Sequence, residues 1–307
     1  MQVGMQVGMT LPVMEPDLWD DGARTLEAWA RAVDEGPFST LCFGERMAFD
    51  NPETLTLLGA VAAWTSRVRL ATTVVVPQLH DPVLLAKSLA TGDQLCAGRL
   101  SVGLGVGGRE EDYRVVGADL GTQTMREMAE RAEVLKAVWR GDLVAGATRR
   151  IGPPPAQEGG PELLVGSMGP RTIRHAARWA DGLAGVTLDV DPAGVRRLFD
   201  LAEDAWAEAG KDRPRLTTSF WFALDDGSGG AQDGGARAQV HRHLRHYMSW
   251  LPADLVDAMA PTTGFAGTPA QLREVLQRFE DIGTDEVHLI PTGSDVAQVA
   301  AVAELLG

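Results

Sequence analysis

The chain is poor in cysteine, in lysine and in positive charge generally, and each shortage excludes a class of function. Only Cys42 and Cys96 occur, both in apolar stretches and without CxxC spacing, so neither a disulfide framework nor a zinc site is expected, and a reducing cytoplasm fits. Lysine appears only at 87, 136 and 211, and 28 basic against 42 acidic residues leave a net charge of −14. Such a surface repels nucleic-acid backbones and anionic membranes at long range, so neither is an expected partner. No uninterrupted apolar run reaches the ~18 residues of a membrane span. The N-terminus also lacks the basic-then-apolar layout of a signal peptide. It carries MQVG twice, at residues 1–4 and 5–8, which reads as an alternative start codon rather than a functional repeat.

What is present is ordinary globular composition, 45% hydrophobic and 23% charged. Length alone allows two domains or one α/β barrel. Candidate strands at 6–11, 39–43, 69–76 and 100–104 start 33, 30 and 31 residues apart, each followed by a helical pattern. That is the size of a βα unit, and its repetition predicts a parallel sheet flanked by helices. Further candidates at 162–166, 182–187, 215–223 and 285–290 bring the strands to eight, the number that closes a (β/α)8 TIM barrel. Long gaps place insertions after strands four and seven, at about 106–160 and 224–266, in a single domain covering 1–307. These insertions are expected to form lids or pocket walls.

Helix starts share one grammar. Asn51-Pro52, Asp81-Pro82, Asp191-Pro192 and Thr268-Pro269 each set a capping side chain before a proline. Thr268 and Gln271 further predict a capping box. Gly36, Gly98 and Gly210 read as helix stops, and 225–235 (DDGSGGAQDGG) as a low-complexity segment.

Two glycine-rich turns follow strands four and five. Gly103 to Gly108 satisfies GxGxxG, but no apolar-periodic helix opens after it, so glycine there clears space at the mouth of a strand, for packing or for a planar ligand. Gly166-Ser167-Met168-Gly169-Pro170-Arg171 is a better anion site, with exposed N–H groups, a hydroxyl and a guanidinium at the start of a helix. As structure alone, the same residues are a turn and a helix start. The run Thr72 to Pro77 reads as a buried strand. His80 reads as a neighbour of the Asp81 cap. His241, His243 and His246 read as a solvated helix face, with no carboxylate or cysteine to complete a metal set, so no metal is expected. His288 on strand eight could face inward or outward.

Residues 67–108 (RVRLATTVVVPQLHDPVLLAKSLATGDQLCAGRLSVGLGVGG) resemble the bacterial luciferase-like family of flavin- and F420-dependent oxidoreductases. The resemblance continues through 110–117, 131–142, 163–182 and 267–289. It implies a TIM barrel with insertions, the ring of FMN or F420 beside the end of strand three, and a cis peptide at Thr73–Val74. It further implies that Gly105 and Gly107 border the ring, and that Ser167, Met168, Gly169 and Arg171 hold the cofactor phosphate. Many members carry an acidic residue and then histidine after strand two, where this chain reads Glu45-Arg46. Arginine cannot exchange protons near neutral pH but can stabilise an anion. Glu45 and Glu15 are then the candidate acid–base groups.

The resemblance implies hydride transfer between F420 and a small-molecule substrate. The alternatives are an FMN-dependent monooxygenase, or a flavin-binding barrel without turnover because the histidine is missing. An NAD-dependent dehydrogenase built on 103–108 would instead require an open Rossmann sheet. Trp29, Leu57, Leu58 and Trp64 bury either a dimer interface or the outside of the barrel, and the resemblance implies a homodimer.

Overall fold

The computed structural model describes residues 4–225 and 235–307; most of the low-complexity segment and the first three residues of the MQVG repeat lie outside them. The eight expected strands form as β1 (Gln6–Thr10), β2 (Thr40–Phe43), β3 (Arg69–Val75), β4 (Leu100–Leu104), β5 (Glu162–Val165), β6 (Gly182–Ala184), β7 (Arg215–Leu224) and β9 (Glu286–Pro291). A ninth, β8 (Phe265–Gly267), falls at the end of the second insertion and is not among the expected strands. Among the described residues the hydrogen-bonded order is β6-β5-β4-β3-β2-β1-β9-β7-β8, with β6 also paired to β7. That is the order of a closed (β/α)8 TIM barrel with β8 appended to β7, and it excludes the open sheet that an NAD-dependent dehydrogenase would need.

The chain divides into two compact units. One comprises residues 1–42, 185–200 and 216–307. It contains α1 (Ala23–Glu35), α8 (Gly235–Tyr247), α9 (Ala253–Met259), α10 (Pro269–Asp281) and α11 (Ala297–Leu306). Here β1 and β9 run parallel in the register Gly8↔His288, and β7 pairs β9 through Ser219↔His288. In this unit α8 and α9, following β7, pack Val240, Leu244 and Val256, with Met248 between the two helices, against Trp221 and Ala223 of β7. Trp29 of α1 is fully buried, its Nε1 donating to the Ser294 carbonyl at 2.7 Å.

The other unit comprises 43–184 and 201–215. Its helices are α2 (Thr54–Trp64), α3 (Pro82–Leu95), α4 (Glu110–Val115), α5 (Met125–Arg140) and α6 (Pro170–Ala176), and α7 (Pro192–Glu208) ends in it. Leu57 and Leu58 are buried inside this unit and Trp64 is half-buried. The long connection after β4 is anchored on α3. Fully buried Asp93 accepts from Ala156 N and Gln157 N at 2.8 and 2.9 Å, and from Gln157 Nε2 at 2.8 Å.

The capping grammar holds at Asp81, which accepts from Val83 N and Leu84 N, at Asp191, and at the Thr268–Gln271 box. It fails at Asn51. Helix α2 is capped by Glu53, which accepts from Leu55 N and Thr56 N, because its longer side chain reaches the first-turn donors from closer to the helix. No helix among the described residues is long and apolar enough to cross a membrane.

Candidate functional site

The end of β3 and the loop after β2 are built on each other. Gly44 passes so close to β3 that a Cβ on it would stand 3.0 Å from the Thr73 carbonyl oxygen. Glu45 then brackets the Thr73–Val74 peptide, which is cis, the form the resemblance implied. Its backbone N–H donates to the Val74 carbonyl at 3.2 Å, and its Oε2 accepts from Val76 N at 2.9 Å. The second oxygen, Oε1, pairs with His80 Nε2 at 2.7 Å, both side chains being largely buried. His80 is therefore the partner of Glu45 as well as the neighbour of the Asp81 cap. No spacing rule announces a pair 35 residues apart; the only signal was a second acid–base residue type in the loop after β3.

Arg46 is buried, its guanidinium lying 4.0 Å from the centre of the Phe49 ring. The following backbone is pinned by Asp112 of α4, whose Oδ1 accepts from Met47 N and Ala48 N at 3.1 and 2.8 Å.

The glycines after β4 and β5 surround Val74. A Cβ on Gly105 would stand 2.8 Å from Val74 Cγ2, one on Gly166 2.4 Å from Val74 Cγ1, and one on Gly103 2.4 Å from the Thr72 carbonyl oxygen. Such separations are far inside van der Waals contact, so Gly105 and Gly166 need to be glycine for Val74 to lie across them, and Gly103, within β4, for the Thr72 backbone to pass it. Gly107 has φ +65°, a left-handed conformation costly for other residues, and packs beside Tyr113. Burial pushes the Tyr113 phenol up to about 12, and its hydroxyl donates to the Val106 carbonyl at 2.7 Å, fixing the loop between them. Beyond it, Gly108 borders open space.

At the other turn, Gly169 is the N-cap of α6 and its N–H donates to Ser167 Oγ at 2.9 Å, while Met168 and Arg171 are exposed. Thr73, Val74, Gly105, Gly107, Ser167, Met168, Gly169, Arg171, Glu45 and Arg46 all belong to this one unit.

Glu15 belongs to the other unit, in the loop after β1. Its Oε1 pairs with His243 Nδ1 of α8 at 2.5 Å, both residues being buried. This corrects the expectation of a solvated histidine face. On a helix, 241 and 245 lie opposite 243 and 247, and it is His241 and Arg245 that meet Asp257 on the exposed side. His288 faces inward, within 3.2 Å of the Glu286 carboxylate. Burial opposes its charge, but Cys42 and Glu286 outweigh burial and push it up to about 10.

The family model described as luciferase-like monooxygenase matches residues 5–286. An uncharacterised protein of Mycobacterium tuberculosis is 38% identical over 163 residues, 50% of this chain and 56% of its own. The chain spans about half the length of the curated relatives it matches. Among solved structures, an F420-dependent secondary alcohol dehydrogenase in complex with an F420–acetone adduct superposes with TM-score 0.80 at 16% identity, over 99% of this chain and 98% of that one. The oxygenating constituent of 3,6-diketocamphane monooxygenase from Pseudomonas putida, in complex with FMN, superposes with TM-score 0.72 at 14% identity, over 99% and 97%. At such identities the superpositions establish the fold.

Proposed function

The chain belongs to the luciferase-like monooxygenase family, and from that premise we propose that it is an oxidoreductase transferring a hydride between coenzyme F420 and a small organic substrate. The observation that carries this reading is the end of β3, where the cis Thr73–Val74 peptide sets Val74 across Gly105 and Gly166 and Gly108 beyond them faces open space. A planar ring needs such a side-chain-free approach at the carboxyl ends of the strands. A further point of fit is Gln78 Oε1, buried and without a hydrogen-bond partner among the described residues, an acceptor of the kind a ring N–H requires.

In this reading Val74, Gly105 and Gly107 border the ring. Ser167, Met168, Gly169 and Arg171 hold the phosphate, Arg171 contributing charge and the turn its hydrogen-bonding groups. The bound deazaflavin supplies a carbon centre that accepts or gives a hydride. Glu45 has both carboxylate oxygens committed, to Val76 N and His80, so it acts as a positioning residue that fixes the end of β3. Arg46 supplies permanent charge beside that strand and stabilises an anionic substrate or reduced cofactor.

FMN in place of F420, with oxygen as co-substrate, is the second reading, favoured by the FMN-bound neighbour. Parallel titration of the protein with F420 and FMN, followed by fluorescence, separates the two. Tight binding of F420 and weak binding of FMN is expected. The reverse order moves the function to a monooxygenase, and binding of neither sinks the cofactor assignment. We also propose a homodimer, which light scattering of the purified chain checks.

A further inference from the structure

Helices α2 and α3 share an outer face with no uncommitted charge, in a chain whose net charge is −14 and whose residues are 23% charged. Helix α2 has no charged residue from Thr54 to Trp64, and α3 has only Lys87 and Asp93. Both of these are engaged inside the chain. Lys87 Nζ donates to the Gly152 carbonyl, and Asp93 is fully buried against residues 156 and 157. Glu53, at the start of α2, is likewise engaged with the first-turn N–H groups.

Between the two helices runs an open groove of about 530 Å³, lined in part by Leu55, Gly59, Leu84, Ser88, Thr91 and Leu95. On α3, positions 84, 88, 91 and 95 fall on one helix face. The two leucines at its ends are 61% and 60% exposed, an unfavourable display of apolar surface to water. Gly59 sits inside α2, where glycine is a poor helix former, and a Cβ there would meet nothing within 4 Å. The chain's own packing does not call for glycine at that position. Close approach of a second helix does.

The groove also reaches the proposed cofactor seat. His80 lines it, and His80 Nε2 holds Glu45 Oε1 at 2.7 Å while the His80 side chain is 14% exposed. Glu45 Oε2 in turn accepts from Val76 N just past β3. Water in the groove therefore has access to the outer side of the pair. Covering the groove would remove it, and a hydrogen bond to a carboxylate is stronger out of water.

Charge decides which partner fits. Two copies at −14 repel each other at long range, so they meet only where neither presents uncommitted charge, and this face meets that condition. We propose that a second copy of this chain docks on the α2–α3 groove across a two-fold axis, Leu84 and Leu95 of each copy entering the groove of the other, and that the contact shields His80 and links dimerisation to cofactor binding. This rests on the homodimer and cofactor readings above.

The test begins with light scattering of the full chain over a dilution series. Leu84→Glu with Leu95→Glu should weaken the dimer about a hundredfold or more, because carboxylates would be buried in an apolar contact. Leu143→Glu, at a leucine 63% exposed outside the groove, should leave it intact. Gly59→Gln brings in a better helix former, and should keep the fold and yet weaken the dimer. Carbethoxylation of His80 by diethyl pyrocarbonate, read by mass spectrometry, should be lost in the dimer and return in the Leu84 and Leu95 double variant. Whichever of F420 and FMN binds the unsubstituted chain should bind that variant about fivefold or more weakly, and should tighten the dimer by the same factor. A monomeric unsubstituted chain would overturn this proposal together with the homodimer. A dimer that survives the double variant and Gly59→Gln, or one that Leu143→Glu dissolves as readily, would overturn this face and leave the homodimer standing. Equal carbethoxylation in dimer and variant would overturn the shielding, and equal cofactor affinity the linkage. Binding of neither cofactor would remove the cofactor reading and the linkage with it, while scattering and His80 shielding still decide the docking face.

Discussion

At the scale of single residues, the environment of Val74 makes a sharp demand. Gly166→Ala drives a methyl into Val74 Cγ1 and should cost about 1–3 kcal/mol by overpacking. Truncating the obstacle should recover most of that loss, so Gly166→Ala with Val74→Ala should be less destabilised than the two single effects summed. Gly103→Ala meets the Thr72 backbone oxygen instead, and Val74→Ala should not rescue it. Denaturant midpoints of the three single and two double variants check this. Glu45 makes a second demand. Glu45→Gln keeps the size but loses the charge that His80 and Val76 N share, and should lose about 1–3 kcal/mol. Its cofactor affinity should fall with it, because the end of β3 loosens. Arg46→Ala should instead slow cofactor reduction. If both variants leave reduction and ligand affinity unchanged, the roles given to Glu45 and Arg46 are wrong.

At the scale of elements, a few side chains set where helices begin and where long connections lie. The Thr268–Gln271 box satisfies first-turn donors of α10, and Thr268→Ala should lower stability by about 1 kcal/mol in thermal or chemical unfolding. Asp93 does more, since one buried carboxylate ties α3 to residues 156 and 157 through three hydrogen bonds. Asp93→Ala should cost more than Thr268→Ala and should raise hydrogen exchange in the 150–160 connection, because buried N–H groups lose their acceptor. Asn51 and Glu53 mark where local grammar falls short. An Asn-Pro dipeptide has the right chemistry to cap, yet the helix begins two residues later at a carboxylate that reaches its N–H groups.

At the scale of the whole molecule, charge and burial couple to pH. His288 has an ordinary value of 6.5 and is held up to about 10, so the folded chain binds a proton there that the unfolded chain releases above 6.5. The resulting stability is fully present below 6.5 and is lost as pH rises toward 10. His288→Gln should flatten the fall in unfolding free energy across that window, measured by urea denaturation at several pH values.

The sequence by itself determined the order and spacing of the eight barrel strands, three of the four proline-led caps, and the need for glycine after β4 and β5. Those features are local: β-branched runs, capping side chains and turn residues act within a few positions of themselves, so they can be read without the fold. The partners of the acid–base groups could not be read in that way. Glu45 and His80 are 35 residues apart and Glu15 and His243 are 228 apart, and neither pair follows a helical or strand period. Only tertiary structure decided them, because strand order and the side of α8 that is buried determine which polar atoms leave water together. Once out of water, each such atom must find a partner inside. Residues 241–246 show the difference, since two of the three histidines that pattern reads as a solvated face are divided by packing, His241 into a surface pair with Asp257 and His243 into a buried pair with Glu15.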